Sequence, residues 1–92
     1  MEQLQSFRNE IDTIDSKIIE LLWQRFDYVR KVAVFKREKN MPALQSSRWQ
    51  EVLDGVKKSW TENGLNPVFV GVIWNTIHEF ALEIEEIIKS NN

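Results

Sequence analysis

Basic side chains stand at spacings that could bring them around one small anion. Arg25 interrupts a regular apolar series in the first 39 residues, at a position where the spacing calls for a hydrophobic side chain. Lys36 follows eleven residues later, which on a helix is three turns, about 16 Å and about 20° of rotation. Two long side chains on one face can converge on an anion between them. Because an unmatched charge in an apolar surface is costly, the pair predicts an anion site. The alternative is that Arg25 pairs with a core carboxylate or extends its head to solvent.

Two further arginines extend this basic set. Arg8 precedes Arg25 by seventeen residues, about 25 Å along a helix, so it can join the same site only from a second, antiparallel chain. Arg48 stands at the start of a predicted second helix, whose N-terminal amides favour an anion. Either arginine can also be an ordinary surface charge. Together the four cations predict a pocket for a compact dicarboxylate.

The first two elements that must position these residues are predicted to be helices. Residues 1–39 contain neither Gly nor Pro, and their apolar side chains recur every three or four positions. This pattern is typical of one long helix of about 50 Å. Pro42 disfavours its continuation. Ser47 is predicted to cap a second helix, with Gln50 completing a capping box.

A third helix completes the predicted fold. Gly64 suits the end of the second helix, Asn66 an N-cap and Pro67 a first helical position, and the helix should run to about Lys89. The sequence therefore predicts an all-α fold of three helices, long, short and long, as a single domain over residues 1–92. Because two shorter helices cannot cover the long apolar stripe, we expect an intertwined homodimer with a two-fold axis.

Composition narrows the class of protein. The formal net charge is −2 with both signs interspersed, which does not suggest a nucleic-acid or membrane surface. The chain has no Cys, which excludes disulfides and thiol catalysis. The charged N-terminal segment is unlike a signal peptide, and no stretch approaches the roughly 20 apolar residues that span a bilayer. These features predict a cytoplasmic protein.

Three segments resemble a known family, the all-helical chorismate mutases and the related isochorismate pyruvate lyases. The family's first-helix signature, an Arg, the pattern IDxID and a second Arg, is similar to RNEIDTIDSKIIELLWQR. Two other segments are most similar to the lyase, RFDYVRKVAVFK and WTENGLNPVFV. The resemblance covers about residues 7 to 88 of the chain. It implies an intertwined helical dimer with two equivalent sites, each completed by Arg8 of the other chain.

The resemblance also implies a chemistry and a set of site residues. The reaction would be pericyclic, without cofactor or metal, on chorismate or isochorismate, both small dicarboxylates. Arginines would clamp the carboxylates, and Lys36 would stabilise negative charge on the ether oxygen as the C–O bond breaks. The implied catalytic residues are Arg25, Lys36 and Glu85. The implied substrate-binding residues are Arg8, Arg25, Val32, Lys36, Gln45, Arg48, Trp49, Ala81, Leu82 and Glu85, with Val32 and Leu82 as apolar wall.

The sequence departs from the family pattern at several of these positions. Glu85 replaces a Gln that donates to the ether oxygen, and it could donate only when protonated, as in the similar fungal mutases. The alternative interpretation is that Glu85 is a solvated charge on the helix surface. Trp49 and Gln45 stand where mutases place acids near the ring hydroxyl. His78 is one place out of register with a lyase histidine, and we expect it to be packed or at the rim.

Several functions remain open on this sequence. Local motifs slightly favour isochorismate pyruvate lyase, which forms salicylate and pyruvate. Chorismate mutase, which forms prephenate, is nearly as well supported and could be a second activity of the same protein. The changes at Gln45 and Trp49 would also suit an amino-substituted chorismate. The alternative from another class is a catalytically inactive relative that serves as a dimerisation or partner-binding module. Retention of all four cations argues against it.

Overall fold

The structure is a computed structural model that describes residues 1–91, and it consists of three helices. They are α1 (Glu2–Glu38), α2 (Ser46–Glu62) and α3 (Pro67–Ser90). No strand occurs in residues 1–91. The predicted all-α fold with long, short and long helices is therefore confirmed.

Sequence signals set the boundary between α2 and α3. Gly64 adopts a φ of 74° just after α2, a left-handed conformation that glycine accepts without a Cβ penalty. The Asn66 side chain accepts a hydrogen bond from the Val68 N–H at 2.9 Å. Pro67 then occupies the first turn, where its missing N–H is no loss. The predicted cap of α3 is confirmed.

The predicted start of α2 is wrong by two positions. Gln45, in an extended conformation, is the N-cap, and its carbonyl accepts from the Trp49 N–H at 3.1 Å. Ser47 therefore lies inside the first turn and cannot cap the helix. Gln50 donates to Asp54 at 2.8 Å instead of reaching back, so the predicted capping box does not form.

Helix α3 packs against both other helices. Phe26 meets Phe80 edge to face at 5.1 Å between ring centroids, and Arg37 further along α1 donates to the Ile88 carbonyl at 3.4 Å. Residues later in α1 therefore contact residues later in α3, and the two helices run parallel. In contrast, Trp60 near the end of α2 meets Phe69 near the start of α3, so these two helices run antiparallel.

The N-terminal half of α1 extends beyond this packed region. The large apolar side chains of its stripe are between 39% and 56% exposed: Leu4, Phe7, Ile11, Ile14 and Ile18. The molecule is accordingly elongated, 57 × 26 × 14 Å. The apolar stripe is uncovered within the chain, as the sequence predicts, while its burial by a second copy stays a prediction.

None of the helices in residues 1–91 combines the length and the apolar character needed to cross a membrane.

Candidate active site

A cleft of about 310 Å³ lies between the C-terminal half of α1, the start of α2 and the middle of α3. Helix α1 contributes a series at helical spacing: Arg25, Tyr28, Val29, Val32 and Lys36. The α1–α2 loop and α2 contribute Ala43, Gln45, Arg48, Trp49 and Val52. Helix α3 contributes three residues on one face: His78, Ala81 and Glu85. Because spacings of three and four residues share a helix face, a single stripe of α3 forms this wall.

Lys36 and Glu85 form an ion pair in the cleft. The Lys36 Nζ donates to the Glu85 Oε1 at 2.7 Å, and the two side chains are only 13% and 11% exposed. Lys36 also donates to the Ala43 carbonyl at 2.7 Å. Since an ammonium has three N–H donors, these contacts fix its position and leave one donor for a ligand. Glu85 is buried, so its interpretation as a solvated helix charge is wrong.

Arg25 carries an unsatisfied charge in the cleft wall. Its Nη1 is buried and has no hydrogen-bond partner within residues 1–91. Burial, followed by the positive charge of Arg48, lowers the pKa of Arg25. An arginine stays protonated at any physiological pH, and no carboxylate in residues 1–91 forms a salt bridge with Arg25. An anion in the cleft would satisfy both the donor and the charge.

Arg48 lines the cleft from the first turn of α2. Its Nη1 donates to Glu51, three residues on, and both side chains are largely exposed. An exposed pair of this kind contributes little energy. Arg48 is therefore free to exchange Glu51 for a carboxylate bound in the cleft.

The Trp49 and His78 rings stack on each other in the wall of the cleft. They stack with centroids 3.9 Å apart and planes inclined by 11°. Burial is the main cause that lowers the pKa of His78. The charges of Arg25 and Lys36 act in the same direction, and Glu85 and Glu79 oppose them. The imidazole is thus held in its neutral form near neutral pH.

The cleft brings together most of the predicted site residues. Eight of the ten lie on its walls: Arg25, Val32, Lys36, Gln45, Arg48, Trp49, Ala81 and Glu85. Arg8 is exposed on the projecting half of α1 and is not among the cleft residues of its own chain. Leu82 is not a cleft residue either. It stands about 100° around α3 from Ala81, the predicted neighbour that does face the cleft.

Sequence reasoning missed several cleft residues. Tyr28 and Val29 lie between Arg25 and Lys36 at helical spacing, and Val52 lies one turn after Arg48 and Trp49. Periodicity alone could have suggested these three. Ala43 carries no such signal, because only the path of the loop places its carbonyl against Lys36. His78, which the sequence predicts to be packed or at the rim, is packed on Trp49 and lines the cleft on the face of α3 that carries Ala81 and Glu85.

The arrangement favours a small dianion with an apolar body. Three cationic side chains, Arg25, Lys36 and Arg48, face the cleft against one carboxylate, Glu85. Apolar walls from Val29, Val32 and Val52 can hold a hydrocarbon ring between the charged groups.

The sequence matches the model of one protein family. The family model of chorismate mutase type II matches residues 7–86. The chain therefore belongs to the chorismate mutase type II family, and the predicted family resemblance is confirmed at that level.

Characterised relatives narrow the kind of activity. The chain is 24% identical over 88 residues to the 4-amino-4-deoxychorismate mutase of Streptomyces venezuelae, covering 96% of this chain and 85% of the relative. It is 30% identical over 92 residues to the bifunctional chorismate mutase/prephenate dehydratase of Aquifex aeolicus, covering 97% of this chain and 25% of the relative. It is 29% identical over 66 residues to the chorismate mutase of Methanocaldococcus jannaschii, covering 72% of this chain and 67% of the relative. No solved structure matches the chain at a significant level. These relatives support an enzyme of the chorismate mutase kind, and none of them is named as an isochorismate pyruvate lyase.

Proposed function

We propose that the protein is a mutase that rearranges chorismate to prephenate in the cleft between its three helices. In this pericyclic reaction the ether C–O bond breaks while a C–C bond forms between the enolpyruvyl group and the ring. No proton is transferred and no covalent enzyme intermediate forms. The protein has to hold the compact conformer and stabilise the charge that develops on the ether oxygen.

The buried, unpartnered Nη1 of Arg25 is the observation that carries the proposal. A fixed cation with an unsatisfied donor is destabilising for the protein alone. It becomes favourable when a substrate carboxylate accepts its hydrogen bond. Arg48 stands near enough to lower the pKa of Arg25, so the two guanidinium groups are placed to share the charge of a bound dianion.

Lys36 is proposed as the cation for the transition state. Its contacts with Glu85 and Ala43 aim the ammonium into the cleft and leave one N–H donor for the ether oxygen. A donor fixed before the reaction needs no reorganisation when charge develops. Glu85 serves here as the partner that holds this ammonium in place, through the 2.7 Å ion pair with Lys36.

A second copy of the chain is proposed to complete the site. The uncovered apolar stripe of α1, from Leu4 to Ile18, offers the surface for pairing. An antiparallel arrangement of two long helices would bring Arg8 of one chain towards Arg25 of the other. The completed cleft would then clamp both carboxylates with cations from two chains.

An amino-substituted substrate is a second candidate. Gln45 and Trp49 line the cleft where mutases place acids near the ring hydroxyl. The relative from Streptomyces venezuelae is named for the 4-amino-4-deoxy substrate. The same rearrangement would apply, since the amino group takes no part in the bonds that change.

Isochorismate pyruvate lyase is a third candidate, favoured by the two local segments that resemble the lyase. In that reaction the same ether bond breaks, but hydrogen moves from the ring to the enolpyruvyl carbon and pyruvate leaves. The cleft supplies the same stabilisation of the ether oxygen.

A panel of three substrates tests the proposal. Purified protein is incubated separately with chorismate, 4-amino-4-deoxychorismate and isochorismate across about pH 4.5 to 8, and products are identified by mass spectrometry. Prephenate from chorismate is the expected product. Predominant turnover of the amino compound or salicylate formation selects the other candidates. Turnover of none of the three would leave the inactive helical module as the better description.

A further inference from the structure

The stack of Trp49 on His78 fixes the orientation of the imidazole ring in the cleft wall. It joins the first turn of α2 to the middle of α3 with a centroid distance of 3.9 Å. Stacking occupies a face of the imidazole, while its two nitrogens lie in the ring plane and stay at its edge. Both rings line the cleft. The indole thus holds a hydrogen-bonding edge in a fixed orientation at the cleft wall.

The position of His78 defines which part of the cleft it serves. It lies seven residues before Glu85 on one face of α3, about 10 Å along the helix. Because α1 and α3 run parallel, the Lys36–Glu85 pair marks one end of the cleft, and Arg25 with His78 marks the other. A second cavity near Arg25 includes Ile77, the neighbour of His78, which places Arg25 at this level of α3.

We propose that His78 binds a carboxylate of the substrate together with Arg25, and that Trp49 is the residue that positions its ring. The inference rests on the proposed function for the identity of the substrate. It adds a contact with the anion at the end of the cleft opposite Lys36.

The charges around His78 favour a carboxylate over the other groups of the substrate. From α1 the facing charges are Arg25 and Lys36, from α2 Arg48, and from α3 Glu79 and Glu85. Lys36 already neutralises Glu85. An ammonium group here would meet the unpaired Arg25, whereas a carboxylate would neutralise it and accept from an imidazole N–H.

This assignment predicts that anion binding is coupled to proton uptake. In the free protein, burial and then the neighbouring cations hold the pKa of His78 below its ordinary value. A bound carboxylate favours the imidazolium and screens Arg25, so the pKa of His78 should rise in the complex. The complex then holds more protons than the free protein between the two titration midpoints, and binding strengthens as the pH falls through this range.

The chain offers a direct measurement, because His78 is its single histidine. The imidazole C–H resonances are followed by NMR across about pH 5 to 8, with and without saturating amounts of an unreactive bicyclic dicarboxylate that mimics the compact conformer. The expected result is a titration midpoint that moves to higher pH in the complex. An unchanged or lower midpoint overturns the inference, as does failure of the dicarboxylate to bind.

Variants separate a binding role from a structural one. His78→Phe keeps a ring for the stack but loses both nitrogens, whereas His78→Gln keeps a donor. We expect His78→Phe to raise KM about tenfold, as for a lost hydrogen bond to a charged group, with little change in kcat. We expect His78→Gln to recover part of that loss. Equal KM values for His78→Phe and wild type would overturn the role of the nitrogens.

Trp49→Ala tests the positioning role. It should raise KM as His78→Phe does, and the double variant should show no further increase, because both changes remove one contact. Additive increases would contradict the role of Trp49. A dicarboxylate that shifts the His78 resonances in a protein that turns over none of the three substrates supports this inference and rejects the proposed function. Turnover of a substrate without a shift of the His78 resonances rejects this inference and supports the proposed function.

Discussion

The Arg25 side chain should favour substrate binding and lower the stability of the free protein. Its buried Nη1 has no partner within the described residues, and Arg48 adds repulsion. Because the guanidinium is partly buried with one unsatisfied donor, replacing it with an apolar side chain of similar length removes a desolvation cost. Arg25→Met should therefore leave the free energy of unfolding unchanged or raise it by about 1 kcal/mol. It should also lower kcat/KM by at least about tenfold, because a charged contact to substrate is lost.

Urea unfolding and steady-state kinetics on the same samples check this prediction. Arg30→Met is the matched control, since Arg30 lies on the same helix but is exposed. The control should change neither quantity by much. A clear loss of stability in Arg25→Met would show that the guanidinium is satisfied in the free protein.

Lys36 should behave differently, because it is paired. Lys36→Ala should lower kcat by about 100- to 1000-fold, the order seen when a preorganised donor to a developing oxyanion is removed. It should also destabilise the fold, since Glu85 is left buried without its partner. The double variant Lys36→Ala/Glu85→Ala should recover stability without recovering kcat. Lys31→Ala, at an exposed position of α1, is the control, and equal kcat values for it and Lys36→Ala would refute the assignment.

The site residues show what spacing can and cannot determine. Arg25 and Lys36 were predictable because eleven residues return a helix almost to the same face. Leu82 was not, since Ala81 and Leu82 are both apolar and only the rotation of α3 against α1 decides between them. The same rotation places His78 on the cleft wall. Contacts between helices set that rotation. The spacing of apolar residues along the sequence gives no information about them.

Among the helices, α3 has the clearest local signal. The Asn66 side chain caps the Val68 N–H, and Pro67 follows, so sequence and structure agree. Helix α2 instead begins after Gln45, whose carbonyl starts the helical bonds without a side-chain cap. Ser46 and Ser47 are both common N-cap residue types, but neither is the cap, because the backbone of the loop places Gln45 at that position.

The cap of α3 predicts a stability effect that is separate from catalysis. Asn66→Ala should lower the free energy of unfolding by about 1 kcal/mol, the usual cost of a lost N-cap. Asn66→Asp retains an acceptor and should keep most of the stability. Thermal and urea unfolding measure the difference. Equal stability of Asn66→Ala and wild type would mean that Pro67 and packing alone determine where α3 begins.

At the scale of the whole molecule, the elongated shape points to assembly. The projecting half of α1 carries a row of apolar side chains that the chain itself leaves 39% to 56% exposed. A surface of this kind marks an interaction site. Sedimentation should therefore give a dimer, and Ile14→Glu, in the middle of the row, should shift it to monomer with loss of activity. An active monomer would contradict a site shared between chains.

Mixing two inactive variants tests whether Arg8 crosses between chains. In the proposed dimer each site takes Arg25 from one chain and Arg8 from the other. A heterodimer of Arg8→Ala and Arg25→Ala chains therefore contains one intact site and one site with both defects. Random pairing of equal amounts makes about half of the dimers mixed, so co-refolding should restore about a quarter of wild-type activity.

The control mixture uses Arg25→Ala with Lys36→Ala. Those two residues come from the same chain in each site, so every site in the mixed dimer keeps one defect and activity should stay near that of the parents. Restoration in the first mixture but not in the second requires that Arg8 and Arg25 of one site belong to different chains. If the first mixture gives only the average of its parents, each chain forms its site alone, and the anion must be held without Arg8.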